Sequence, residues 1–99
     1  MARSKRSQSQ HNGLVRRFAK DYEAKGYKIE ADIKGYDQPG TVGGLRPDLM
    51  VEKSGHKTLI EVETPDSLGS KRDEKQQQAF KNWSKSSSTK HYKRVVTEK

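Results

Sequence analysis

The sequence lacks cysteine and long apolar runs. Without cysteine, the 99-residue chain forms neither a disulfide framework nor a thiolate zinc site, and its three histidines are too scattered for a histidine-rich metal cage. The longest apolar runs are three residues, too short for a membrane span, and the polar first dozen residues lack the apolar stretch of a secretory signal. We therefore expect a cytoplasmic protein that is neither secreted nor membrane-bound, and any bound metal should have oxygen ligands.

Apolar residues are also scarce, at 28% of the chain, and the formal net charge is +8. Such a composition approaches that of disordered proteins. From residue 13 onward, however, the apolar residues recur with helix or strand periods, whereas residues 1–12 are almost wholly polar. These patterns predict one folded domain over residues 13–99, preceded by a flexible basic arm over residues 1–12.

The charges are unevenly distributed along the chain. Residues 1–31 carry eight basic and three acidic side chains, and residues 67–99 carry nine and three. The middle segment, residues 32–66, has four basic and seven acidic side chains. Basic segments on both sides of an acidic one indicate a polyanion held against a metal-binding centre, although a solvated basic surface gives a similar pattern.

Hydrophobic periodicity predicts six elements: a helix, three strands, a second helix and a final strand. The first helix would start after an N-cap at Asn12 and end near Gly26. In chain order the elements span residues 13–25, 27–33, 48–52, 58–63, 71–85 and 92–97. The glycine-rich segment 35–47 is expected to be a loop.

The second and third strands should form an antiparallel hairpin that turns between Ser54 and Gly55. This turn places Asp48 opposite Glu61, and Glu63 lies on the same face of its strand as Glu61. Three acids at one end of a hairpin suit Mg²⁺, which prefers oxygen ligands. The ordinary alternative is that these acids face solvent.

These residues also resemble a known family. Pro47-Asp48, followed thirteen positions later by Glu61-Val62-Glu63, is similar to the signature of the PD-(D/E)xK nuclease superfamily. Its restriction-endonuclease-like fold includes Holliday-junction resolvases and minimal phage-type nucleases. The resemblance implies an α/β core of order αβββαβ, with a central mixed sheet flanked by two helices.

By position, the resemblance makes Asp48 and Glu61 the acids that hold Mg²⁺ or Mn²⁺, with the Val62 carbonyl as a further ligand. Glu63 stands where the family usually has the lysine that orients or activates the attacking water. As a catalytic residue, Glu63 would accept the water's proton or hold a second metal ion. Glu23 on the first helix would add an acid to the metal site.

A substitute for the missing lysine could come from elsewhere in the chain, and Lys57, Lys71 and Lys75 are the candidates. Other basic and polar residues near the motif would contact nucleic acid, mostly through phosphates. The proposed contact residues are Arg46, Lys71, Arg72, Lys75 and Gln76.

The resulting expectation is an enzyme, a metal-dependent nuclease that hydrolyses phosphodiester bonds. It would act on DNA in preference to RNA, recognise shape or a junction, and work as a homodimer. Two alternatives remain open at this point. One is a catalytically inactive nucleic-acid-binding module of the same fold, and the other is a basic ribosome- or nucleoid-associated protein without a site.

Overall fold

The computed structural model describes residues 5–63 and 71–96, and for residues 5–8 and 71–73 it describes the backbone alone. Over these residues the chain is a small α/β protein with a four-stranded mixed sheet and two helices. The elements are α1 (Lys5–Ala24), β1 (Lys28–Ala31), β2 (Leu49–Lys53), β3 (His56–Glu63), α2 (Lys71–Lys85) and β4 (Lys90–Val96). None of the described helices is long and apolar enough to cross a membrane.

The strands lie in the order β1, β2, β3, β4. β1 pairs antiparallel with β2, β2 antiparallel with β3, and β3 parallel with β4. The predicted hairpin register is confirmed, because Leu49 pairs with Ile60 and Val51 with Thr58. Ser54 and Gly55 both have positive φ, at 54° and 81°, as a two-residue type I′ hairpin turn requires.

The two helices pack on opposite faces of the sheet. On one face, Val15 and Ala19 of α1 belong to the same buried cluster as Leu49, Ile60 and Val62. The alternate residues of each strand project to the opposite face, which packs against α2. There the ring centroid of Phe80 in α2 lies 5.9 Å from that of Tyr92 in β4. Tyr92 pairs with Leu59 of β3, which is buried. The odd-numbered positions of β3, including Glu61 and Glu63, therefore share the face that α2 covers.

The start predicted for the first helix was wrong. α1 begins at Lys5, so Asn12 lies inside the helix and residues 5–12 do not form the expected flexible arm. The segment contains no proline, and its Lys, Arg and Gln side chains are good helix formers. Tertiary contact supplies the rest, because His11 is buried and bonded to Asp48.

The end of α1 follows the prediction. Gly26 has φ of 90° and donates its N–H to the Glu23 carbonyl, while Tyr27 donates to the Tyr22 carbonyl at 3.1 Å. This pair of bonds is a Schellman motif, which needs a residue in the left-handed region and so favours glycine. α2 spans the predicted residues 71–85.

The predicted loop 35–47 contains a small bridge between Val42 and Leu45, closed by Gly43 and Gly44 with φ of 61° and 79°. A Cβ atom on Gly43 would lie 2.9 Å from the Cβ of Ala79. The loop therefore packs directly against α2, and it leads the chain into Asp48 next to the covered face of the sheet.

Candidate functional site

Two carboxylates meet at the end of the β2–β3 hairpin. The backbone N–H of Asp48 donates to Oε1 of Glu61 at 3.3 Å, and the backbone N–H of Val62 donates to Oδ2 of Asp48 at 2.9 Å. Each acid thus accepts a hydrogen bond from the strand that carries the other. This reciprocal pairing fixes the Asp48 and Glu61 carboxyls beside each other, on the strand ends where the sequence placed them.

The local sequence explains why the Asp48 side chain reaches the backbone of β3. Continuing the hairpin register would place Pro47 opposite Val62, two residues before Leu49, the first paired residue of β2. Proline has no N–H to donate to the Val62 carbonyl. The Val62 N–H and carbonyl project toward the same neighbouring strand. The carbonyl therefore faces the Asp48 side of β3, as required of a candidate ligand.

Glu61 and Glu63 are both buried, each only 4% exposed. Burial is the main cause that raises the pKa of Glu61 from its ordinary value of 4.5 to about 10. The charge of Asp48, the hydrogen bond between the two side chains and the charge of Glu63 act in the same direction, whereas the bond from the Asp48 backbone lowers the pKa. At neutral pH Glu61 is therefore protonated unless a cation is present to stabilise the anion.

His11 is the third side chain at this site. Its Nε2 lies 3.0 Å from Oδ2 of Asp48, the same oxygen that accepts the Val62 N–H. The His11 side chain is 6% exposed and that of Asp48 is 17% exposed. The contact therefore lies inside the protein at the junction of α1 and the sheet, while the Asp48 carboxylate keeps some access to solvent.

On its other side, Glu61 is aligned with a basic residue. Arg94 of β4 is the register partner of Glu61, and paired residues of neighbouring strands project to the same face. Arg94 is half-buried. The structure thus places a guanidinium-bearing residue one strand away from the acid pair, on the face that α2 covers.

The two carboxylates are donors of the type that a hard divalent cation prefers. Within residues 5–63 and 71–96, no group of three or more His, Cys, Asp or Glu side chains is arranged so that it could hold a metal ion. Mg²⁺ commonly binds proteins through only one or two carboxylates and completes its shell with waters and substrate phosphates. Asp48 and Glu61 are two adjacent carboxyl groups and meet this requirement of one or two carboxylates. Glu61 is the buried one, and burial disfavours its ionised form.

Two residues considered for the site lie elsewhere. Glu23 is exposed and lies twelve residues after His11 in α1, about 18 Å along the helix axis, so it does not join the acids. Lys57 is exposed and lies four residues before Glu61 on β3, about 13 Å away along the strand. Lys57 therefore does not replace the family's lysine.

Three of the five expected nucleic-acid contacts have described side chains. Arg46 is exposed and donates to the Pro39 carbonyl. On α2, Lys75 is exposed and Gln76 is half-buried. Lys71 and Arg72 lie in the first turn of α2, and their side chains are outside the described part of the structure.

The direction of α2 decides which of its residues lie near the site. Because β3 and β4 are parallel, the helix that joins them runs back along the sheet. Phe80 lies over Tyr92, which is level with Leu59, so the turn before Phe80 lies toward Glu61 and Glu63. Lys75 and Gln76 are in that turn, whereas Lys85 is at the far end of the helix.

His11 and Arg94 were not predicted as site residues. His11 had a signal in the sequence, because it precedes Val15 by four residues and Ala19 by eight, and thus extends the buried stripe of α1. The polar residues around it concealed that pattern. Arg94 had no such signal, because its alignment with Glu61 depends on the register between β3 and β4.

Comparison with known proteins gives no match: no protein-family model, curated protein or solved structure is similar to this chain at a significant level. The class that the structure defines is a small α/β protein with a four-stranded mixed sheet and a buried acid pair at one end of it.

Proposed function

We propose that this protein is a metal-dependent nuclease that hydrolyses phosphodiester bonds, with DNA favoured over RNA. The observation that carries the proposal is the reciprocal hydrogen bonding that holds the Asp48 and Glu61 carboxyls together at the end of the hairpin. With both acids ionised, the like charges side by side would destabilise the sheet. A divalent cation between them would offset that repulsion and favour the ionised form of Glu61.

The arrangement of the elements supports the same proposal. The chain runs α, β, β, β, α, β, with Asp48 directly before β2, Glu61 in β3 and one helix on each face of the mixed sheet. The resemblance to the PD-(D/E)xK superfamily implies a core with this order of elements, and the order therefore supports the proposal. Shape or junction recognition and a homodimer remain part of the proposal.

Asp48, Glu61 and the Val62 carbonyl are the groups proposed to hold Mg²⁺ or Mn²⁺. The bound ion would supply positive charge against the phosphate oxygens and lower the pKa of water. Hydrolysis forms a bond from a water oxygen to phosphorus and breaks the bond from phosphorus to one ester oxygen, which takes up a proton. We assign Glu63, two residues beyond Glu61, to accept the proton that the attacking water loses.

Charge on the phosphate also needs an opposing group, because the residue at the family's lysine position is itself an acid. Arg94 is aligned with Glu61, and a guanidinium can pair with two phosphate oxygens at once. We assign it the neutralising role that lysine has in the superfamily. Lys75, on the site end of α2, is a further phosphate contact.

The test is metal-dependent cleavage by the full chain, using single-stranded, duplex, flap and four-way-junction DNA and RNA, with Mg²⁺, Mn²⁺ or chelator. Asp48→Ala should reduce the rate at least about 100-fold, the usual scale for losing a group that stabilises transition-state charge, while low-salt DNA binding persists. The matched control is Asp21→Ala, which removes an exposed aspartate of α1 outside the site. Parental cleavage by Asp48→Ala, or cleavage that survives chelation, would contradict the proposal.

A second candidate is a nucleic-acid-binding module of the same fold without catalysis. The buried acid at position 63 favours it, because this residue replaces the family's lysine and Lys57 lies too far away to substitute for it. Binding of the substrate panel without any metal-dependent product would select this candidate. Calorimetry adds a check, since a degenerate site should show no saturable Mg²⁺ binding that depends on Glu61.

A further inference from the structure

His11 is a buried polar residue for which the proposed chemistry has no role. It is 5% exposed, lies in α1 thirty-seven residues before Asp48, and still has its Nε2 atom 3.0 Å from that carboxylate. Burying an imidazole costs free energy unless its nitrogens are bonded. An apolar residue four positions before Val15 would have continued the core more simply, so the histidine calls for a separate explanation.

The explanation lies in the geometry at a single oxygen. Oδ2 of Asp48 has two neighbours, Nε2 of His11 and the N–H of Val62 at 2.9 Å. One comes from a helix and the other from a neighbouring strand. Two bonds to one oxygen from separate elements fix the position of the carboxylate, and its hydrogen bond with the Glu61 side chain keeps it beside the second acid.

We propose that His11 is a positioning residue: it holds the Asp48 carboxylate in the orientation in which this group, beside Glu61, receives a divalent cation. This role rests on the proposed function, since it assumes that Asp48 is a metal ligand. Partners of this kind, hydrogen-bonded to a ligating group and not to the metal, typically change metal affinity 10- to 100-fold when they are removed. α1 therefore contributes to the site through its N-terminal half.

The test compares two substitutions at this position in the full chain. His11→Gln keeps an N–H donor the same number of bonds from the backbone, whereas His11→Leu fills the buried space without one. Mn²⁺ affinity, measured by titration at fixed pH, should fall about 10- to 100-fold in His11→Leu and stay within about threefold of the parent in His11→Gln. The matched control, His56→Gln, removes an exposed histidine next to the hairpin turn, at the opposite end of the hairpin from the acids, and should leave Mn²⁺ affinity unchanged.

A second measurement needs no metal. The Val62 amide donates to the same Asp48 oxygen, so its proton chemical shift in the chelated protein reports the position of the carboxylate. The shift should move in His11→Leu and remain near the parental value in His11→Gln. If His11→Leu fails to fold, the His11→Gln comparison still applies, because loss of affinity in that variant would show that the imidazole is needed for more than its N–H.

The outcomes separate this role from the proposed function. Unchanged Mn²⁺ affinity in His11→Leu overturns the positioning role and leaves the metal site intact. Equal loss in both variants also overturns it, in favour of direct ligation or a purely structural role. A parent that binds no Mn²⁺ defeats the proposed function instead, and an unmoved Val62 shift in His11→Leu then defeats the positioning role as well.

Discussion

At the scale of single residues, Glu61 is the least ordinary side chain in the described structure. Glutamate is almost never fully buried unless it is paired. Here the Glu61 carboxyl is hydrogen-bonded to a second acid, Asp48, and burial above all raises the pKa of Glu61 to about 10. In the absence of a cation the folded protein must therefore either hold a proton at this position or tolerate a buried charge, and both cost stability at neutral pH.

This cost predicts that Glu61→Gln stabilises the metal-free protein. Between pH 4.5 and about 10, Glu61 holds a proton in the folded state that it has released in the unfolded state. The free energy of unfolding of the parent therefore falls as the pH rises through this window, and below pH 4.5 none of it is lost. At pH 7, roughly 2.5 units above the unfolded pKa, the gain from Gln should be about 3 kcal/mol. Urea denaturation in chelator at pH 4, 7 and 9 measures the difference.

The control for this prediction is Glu30→Gln, at a half-buried glutamate of β1. Unlike Glu61→Gln, the Glu30→Gln variant should gain little free energy of unfolding relative to the parent as the pH rises. If the parent and Glu61→Gln lose stability in parallel between pH 4 and 9, then Glu61 does not retain a proton in the folded state. Metal titration adds the converse expectation: Mg²⁺ should stabilise the parent more than Glu61→Gln.

At the scale of secondary-structure elements, the β2–β3 hairpin determines whether a site can exist. Its two-residue turn at Ser54 and Gly55 sets the pairing of Leu49 with Ile60, which brings Asp48 level with Glu61. A slip of one residue would move every side chain of one strand to the opposite face. The acids would then separate, and the apolar positions would leave the core.

The packing of the glycine loop on α2 gives a second prediction. Gly43→Ala should destabilise the protein in two ways, since the φ of 61° disfavours a side chain and the new Cβ would lie 2.9 Å from the Cβ of Ala79. We expect a loss of about 2–5 kcal/mol, from about 1–2 for the left-handed conformation and about 1–3 for overpacking. Thermal or urea unfolding measures it.

Gly44 provides the matched control, because it has φ of 79° but open space around its Cβ position. Gly44→Ala should incur only the conformational cost. Adding Ala79→Gly to Gly43→Ala removes the clash and should recover part of the loss. Equal destabilisation by Gly43→Ala and Gly44→Ala, with no recovery in the double variant, would show that the loop does not pack on α2 as described.

At the scale of the whole molecule, the acid pair is set in a chain with a net charge of +8. Polyanion binding to such a protein should be dominated by phosphate contacts and should weaken steeply with salt. Because α2 runs opposite to the parallel strands β3 and β4, its first turns lie toward the acid pair and its last turn lies away from it. Lysines at the two ends of α2 can therefore be compared as phosphate contacts. Lys75 lies on the site end of α2, and Lys85 is an equally exposed lysine about 15 Å away on the same helix.

Lys75→Gln should therefore weaken DNA binding and lower the magnitude of the log–log salt slope by about 1, the value for one lost phosphate contact. Lys85→Gln changes the net charge by the same amount and should have a smaller effect on both quantities. Fluorescence anisotropy with a labelled duplex over a salt series measures them. Indistinguishable effects of the two variants would mean that DNA is held by overall charge and not at this end of the sheet.

The sequence by itself determined the element order, the hairpin register and the two acids that meet at its end. Those features follow from local periodicity and from a short turn, whose geometry depends on residues close together in the chain. Only the tertiary structure decided the N-terminal extent of α1 and its contact with Asp48, and the alignment of Arg94 with Glu61. Both depend on how separate elements pack, because a polar residue becomes part of a core or a site only when a distant partner offsets its loss of water.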